Sequence, residues 1–237
     1  MGANWTLRWM CAVIPDGLTP PVTMCPVRTP MANAQRPHST PLPTAVRWVH
    51  AILETRLSPG DLVVDATAGN GHDTLFLAQK VLPGGHVFAF DIQGDAIQQT
   101  EARLREAGVD MSRVTLHVAG HETLTAALPA EAHQRLRLCM FNLGYLPGGD
   151  KARITQVETT LSAIQQAMDL LAEDGLLTVV VYPGHEGGMQ EAGRVTAMLE
   201  AASPDFWEVQ RIGYLNFRPT TPFCLVARRR TAARPPR

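Results

Sequence analysis

The sequence has little of what would mark a disulfide-stapled, metal-binding or membrane protein. Its four cysteines, Cys11, Cys25, Cys139 and Cys224, form no C-x-x-C pair. That excludes a disulfide framework and a zinc site, and it suits a reducing cytoplasm. No apolar run approaches the length needed to cross a bilayer. The first residues lack the charged and apolar regions of a secretory signal. Charged residues make up only 18% of the chain and the formal net charge is −1, so any nucleic-acid contact must come from a local patch. What is present is apolar: 45% of 237 residues, enough for a sizeable core.

Pro15, Pro20, Pro21, Pro26, Pro30, Pro37, Pro41 and Pro43 punctuate a stretch without apolar periodicity. Residues 1–43 are therefore expected to form an irregular arm, and its few basic residues argue against an RNA-binding role. From residue 44 the pattern alternates. Ala45, Trp48, Val49, Ile52 and Leu53 recur at helical spacing, and strand one follows at Leu62 to Ala66. A helix to about Leu82 and a second strand, His86 to Phe90, come next. Asp95 to Ala107 is amphipathic, Val114 to Ala119 is strand three and Leu136 to Phe141 is strand four. Ile154, Val157, Leu161, Ile164, Met168 and Leu171 step by three and four, and Glu173-Asp174-Gly175 turns into strand five, Leu176 to Tyr182. Gly188 to Ala201 is helical, and β segments near Trp207 to Tyr214 and Phe223 to Ala227 close the chain. This order predicts an α/β fold: a mostly parallel seven-stranded sheet, helices on both faces and an antiparallel edge hairpin. Residues 44–228 form the expected domain, and 229–237 a basic tail.

Val63 to Asp73 reads as a buried strand, a glycine-rich turn and a helix start, with Asp91 after the second strand. Glycines let a ligand approach the backbone, a helix N-terminus offers free N–H groups, and a carboxylate after strand two can accept from ribose hydroxyls. The chain is thus expected to bind a nucleoside. A dinucleotide fingerprint needs a third glycine where Thr74 stands. Asp65 before the turn also suits a cation better than a pyrophosphate. S-adenosylmethionine is such a ligand, and Asp65-x-x-x-Gly69-x-Gly71 with Asp91 resembles motifs I and II of class I methyltransferases. The bland alternative is an ordinary strand-to-helix turn.

In a parallel sheet, ligands sit at the carboxyl ends of the strands. That edge collects Asp65 to His72, Asp91, Gly120-His121, the loop from Asn142 to Lys151, and Tyr182 to Gly188. Asn142-Leu143-Gly144-Tyr145 resembles the Asn-Pro-Pro-Tyr motif of amino-directed methyltransferases. An amide oxygen there can hold an amine with its lone pair toward the methyl, and Tyr145 can stack on a base.

Asp65 to Ala78, Phe90-Asp91-Ile92-Gln93, Phe141 to Lys151 and Tyr182 to Gly188 together resemble the YtqB family, long labelled rRNA methylases. Its members are understood as MnmM-type tRNA methyltransferases. The resemblance implies a Rossmann-like class I methyltransferase fold over residues 44–228 and S-adenosylmethionine as cofactor. It implies methylation of the 5-aminomethyl group of wobble 2-thiouridine, with a tRNA anticodon stem-loop as partner. On that reading Asp65, Thr67, Gly69, Asn70, Gly71, His72 and Asp73 hold the methionine and ribose end. Asp91, Ile92 and Gln93 hold the ribose side, and Gly120-His121 flanks the adenine. Asn142, also near the cofactor, and Tyr145 orient the amine, His185 or His121 accepts its proton, and Leu143, Gly144, Lys151 and Arg153 contact substrate. Asp150 is equally suited to capping a helix. Arg211, Arg218 and Arg228-Arg229-Arg230 are candidate phosphate contacts. An rRNA or small-molecule amine methyltransferase and a non-catalytic cofactor-binding module stay open, and the sequence does not distinguish a monomer from a homodimer.

Overall fold

The structure, a computed structural model, describes residues 41–144 and 156–231. Thr44 opens helix α1, Ala45–Glu54, its hydroxyl accepting the Arg47 N–H. Ala45, Val49 and Leu53, four apart, form the buried stripe of that helix. The chain then alternates: β1 Leu62–Asp65, α2 His72–Val81, β2 His86–Asp91, α3 Gly94–Glu106, β3 Val114–Val118, α4 Leu124–Ala127 and β4 Leu136–Asn142. Beyond the undescribed segment follow α5 Val157–Leu170, β5 Leu171–Val181, α6 Gly188–Glu200, β6 Trp207–Ile212 and β7 Phe223–Arg229.

The strands form one sheet in the order β3-β2-β1-β4-β5-β7-β6. β1 pairs in parallel with both β2 and β4, and β7 runs antiparallel between β5 and β6. The expected α/β architecture and antiparallel edge hairpin are both present. Alternating strand residues serve opposite faces. Val63, Leu138 and Met140 meet α1, α2 and α3 in one apolar cluster, while Val64, Cys139 and Phe141 meet α4, α5 and α6 in the other. Each such fully buried aliphatic or aromatic side chain contributes about 1.5–3 kcal/mol. Strand order reverses between β1 and β4, which opens a crevice at their carboxyl ends. Among the described residues no helix is long and apolar enough to cross a membrane.

Two expectations shift. Strand five begins at Leu171, so Leu171 leaves the preceding helix, and Ile154 lies outside the described residues. The expected turn is a bulge inside β5: pairing steps from Leu136–Leu171 to Leu138–Leu176, and Asp174 takes φ 60° within it. β7 also runs two residues past Ala227, to Arg229.

The glycine turn is clamped from α3. Gly71 has φ 76°, and a Cβ on it would stand 2.7 Å from the Thr100 Cα. Gly60 shares a positive φ, 100°, but has open space around it. Gly71→Ala should cost about 1–3 kcal/mol from backbone strain plus a displacement of α3, and more than Gly60→Ala. Urea unfolding of both variants checks this; equal losses would remove the α3 clamp.

Candidate active site

Asp65, at the end of β1, is fully buried. One carboxylate oxygen accepts the Thr67 N–H at 3.1 Å and the other the Thr74 hydroxyl at 2.6 Å. Burial, reinforced by the charge of Asp73, pushes its pKa up to about 7. This corrects the expectation of a direct contact between Asp65 and a ligand: the carboxyl exposes no surface and acts by shaping the turn. Thr74, read in sequence only as a missing glycine, holds the buried carboxyl.

The rest of the turn is braced from outside. Gly69 donates its N–H to Asp91 at 3.0 Å and gives its carbonyl to the Thr100 hydroxyl, while the Asn70 carbonyl accepts from Arg103. The Thr67 hydroxyl accepts the Asn142 N–H at 2.7 Å, tying the end of β1 to the end of β4. His72 opens α2 in an exposed position, where the first N–H groups of a helix have no intrahelical partner.

Asp73, in the first turn of α2, joins three elements. Its Oδ1 lies 2.8 Å from His50 Nε2 on α1, and its Oδ2 accepts from Asn142 Nδ2 at 3.0 Å. The His50 ring stacks on Phe76 at 4.0 Å and 4°. Asn142 Oδ1 is buried and accepts no hydrogen bond among the described residues. Tyr182 is half-buried beside this group. Burial and the Asp73 charge raise its phenol pKa, and the Asn142 amide opposes them. His50 belongs to no sequence motif, and nothing in its helical pattern distinguishes it from a surface histidine. Tyr182 belongs to the Tyr182–Gly188 segment, where the sequence alone gives it no role.

On the other side of the crevice, Asp91 Oδ1 accepts the Gln93 N–H at 2.8 Å. With Gly69 on the second oxygen, two of about four lone-pair sites are used, which leaves acceptor capacity for ribose hydroxyls. Ile92 and Val118, at the ends of β2 and β3, stay 49% and 61% exposed, an apolar platform for a flat ring. His121 is buried with its ring edge-on to Phe141, 5.7 Å between centroids, and burial lowers its pKa. It is a core histidine beside Gly120 rather than an exposed proton acceptor.

The substrate loop is only partly described. Leu143, expected to contact substrate, has its side chain fully buried and donates its N–H to the Val180 carbonyl. Gly144 has φ 149° and lies against the Tyr182 ring. Tyr145, Asp150, Lys151 and Arg153 fall outside the described residues. His185 Nδ1 lies 2.8 Å from the Glu186 carbonyl, within its own loop, and its ring stands over Gly188. Arg211 lies over the Phe223 ring, and Arg218 is exposed in the β6–β7 connection, on the site edge. Arg228, Arg229 and Arg230 do not join them. Antiparallel β7 carries them to the opposite edge, where they bind Asp174 and Glu208, the Leu171 carbonyl and the Pro204 carbonyl, respectively.

These residues fit S-adenosylmethionine: three acidic side chains around the turn, free acceptor capacity on Asp91, an apolar platform and an orphaned amide oxygen. Residues 87–228 match the family described as "Putative rRNA methylase". The chain is 40% identical over 185 residues to the "tRNA (mnm(5)s(2)U34)-methyltransferase, chloroplastic" of Arabidopsis thaliana, covering 75% of this chain and 66% of that protein. The chain thus spans just under two thirds of that relative's length. The crystal structure of "putative rRNA-methylase" from Clostridium thermocellum is similar with a TM-score of 0.75 and 36% identity, over 80% of this chain and 100% of that one. SMU.1697c of Streptococcus mutans, a "putative methyltransferase" solved in complex with SAH, gives 0.70 and 30%, over 79% and 99%.

The buried carboxyl of Asp65 has a consequence for stability. Its pKa is raised above the unfolded value, so its contribution is full below about pH 4 and lost as pH rises through about 7. The loss is on the order of 4 kcal/mol at most. Asp65→Asn should flatten the fall in stability between pH 4 and 8, read as urea midpoints across that range; an unchanged slope would refute it.

Proposed function

The chain belongs to the Putative rRNA methylase family, and on that premise we propose that it is a methyltransferase that methylates the 5-aminomethyl nitrogen of wobble 2-thiouridine in tRNA, using S-adenosylmethionine. The observation that carries this reading is the orphaned Asn142 Oδ1 at the crevice between β1 and β4. A buried acceptor without a donor costs roughly 1–3 kcal/mol, and an amine N–H relieves it. The plant relative's name supplies the nucleoside, and the family description keeps rRNA as the second reading.

When bound, the cofactor supplies a methyl on a cationic sulfur. Around it, Asp91 takes the ribose hydroxyls, Ile92 and Val118 face the adenine, and the N–H groups at the start of α2 receive the methionine carboxylate. Asn142 Oδ1 accepts one amine N–H and turns the nitrogen lone pair toward the methyl at near-attack distance. The N–C bond forms as the C–S bond breaks, and the pair from that bond stays on sulfur. The positive charge moves to nitrogen beside the Asp73 carboxylate, and the amine sheds one proton to water. Arg211 and Arg218 on the same edge offer cations to RNA phosphate. Catalysis is assigned to the domain that runs from residue 44 through β7, whose last residue, Arg229, lies one beyond the expected boundary. The cytoplasm is the proposed compartment, which suits the buried free thiols of Cys139 and Cys224.

The test is transfer of labelled methyl to tRNA carrying unmethylated 5-aminomethyl-2-thiouridine, followed by nucleoside mass analysis. The 5-methylaminomethyl nucleoside is expected, and Asn142→Ala should abolish its formation while leaving cofactor affinity by calorimetry intact. Transfer to rRNA or small amines alone would replace the tRNA reading, and full activity in Asn142→Ala would remove Asn142 from the site.

A further inference from the structure

An asparagine amide can face its site in two ways, and only one supports the proposed reaction. With Oδ1 toward the amine it accepts an N–H; with Nδ2 there, it points a donor at a cation. Asp73 decides between them. Its Oδ2 is an acceptor and takes Asn142 Nδ2 at 3.0 Å, while a flipped amide would set oxygen against carboxylate. Asp73 is fixed in turn by His50 Nε2 at 2.8 Å on its other oxygen, and His50 by its stack on Phe76. We infer that His50 and Asp73 are positioning residues that hold the Asn142 amide with its oxygen toward the methyl-accepting nitrogen, so that α1 is a working part of the active site.

The chain of contacts crosses three elements: α1 supplies His50, α2 supplies Asp73 and Phe76, and β4 supplies Asn142. Its charged and polar surroundings serve the same end. Asp65 and Tyr182 both lie within reach of the Asp73 charge, and Lys80 Nζ, 5.5 Å from the Phe76 ring centre, pairs with Glu54 at 3.4 Å. Among the described residues no lysine or arginine engages the Asp73 carboxylate. The negative charge therefore stays where positive charge gathers on the nitrogen.

This inference rests on the proposed reaction at Asn142, and the experiment separates the two. In wild type, methyl transfer is measured first. His50→Ala should then lower kcat about 10–100-fold, as loss of a supporting partner does, with KM for tRNA and cofactor Kd within about twofold. His50→Gln, which keeps an N–H donor for Asp73, should recover most of the rate. In an Asn142→Ser background His50→Ala should add little, because both act through the same amide. A wild-type kcat in His50→Ala, or an equal loss in the Asn142→Ser background, overturns the inference. A readout without turnover stands beside these. The Asn142 side-chain amide resonance, identified by its absence in Asn142→Asp, should shift and exchange faster in His50→Ala. If wild type proves inactive on every RNA, the reaction fails, and an unmoved amide resonance overturns the positioning pair as well.

Discussion

A loop of glycines between two buried elements has few side chains with which to hold its shape, so the shape must come from its neighbours. Here every strand end around the turn contributes. Asp65 holds it from beneath, Asp91 from β2, Thr100 and Arg103 from α3, and Thr67 ties it to β4. The turn is thus the junction at which β1, β2, β4 and α3 are brought into register. The placement of Asp91 and of Asn142 is set by that geometry.

The bracing has an electrostatic consequence. Asp65, Asp73 and Asp91 lie close enough that the charges of Asp73 and Asp91 both raise the Asp65 pKa. A corner of this sign, in a parallel sheet covered on both faces, repels phosphate and attracts sulfonium and ammonium groups. The missing third glycine and the acidic turn are therefore one feature. Thr74 holds Asp65, and Asp73 and Asp91 carry the acidic character around the turn.

The two halves of the crevice differ in character. On the β2–β3 side, Ile92 and Val118 are exposed and Asp91 keeps free acceptor capacity. On the β4–β5 side, Asn142, Asp73 and Tyr182 form a polar cluster in which small shifts of orientation change what the site offers a nitrogen. Helix α1 precedes the first strand in sequence but closes this second half, packing on β5 and β7 while His50 reaches Asp73.

Local pattern determined a good deal by itself. Apolar periodicity marked the helices and strands, and the rule that ligands gather at strand ends placed the Asp65–Asp73 turn, Asp91 and Asn142 on one edge. Those inferences hold because hydrophobic spacing and glycine punctuation are properties of neighbouring residues. What only the tertiary structure decided involves residues far apart in the chain. His50 meets Asp73 across 23 positions and Asn142 meets Asp73 across 69, contacts that no spacing rule encodes. Leu143 reads as a loop residue yet is buried, because the backbone after β4 stays bonded to β5 for one more residue. Arg228 to Arg230 read as a basic run near the site, yet the direction of β7 carries them to the opposite edge. Burial and strand direction belong to the folded chain as a whole, and they determined which of the polar residues in this sequence form the site.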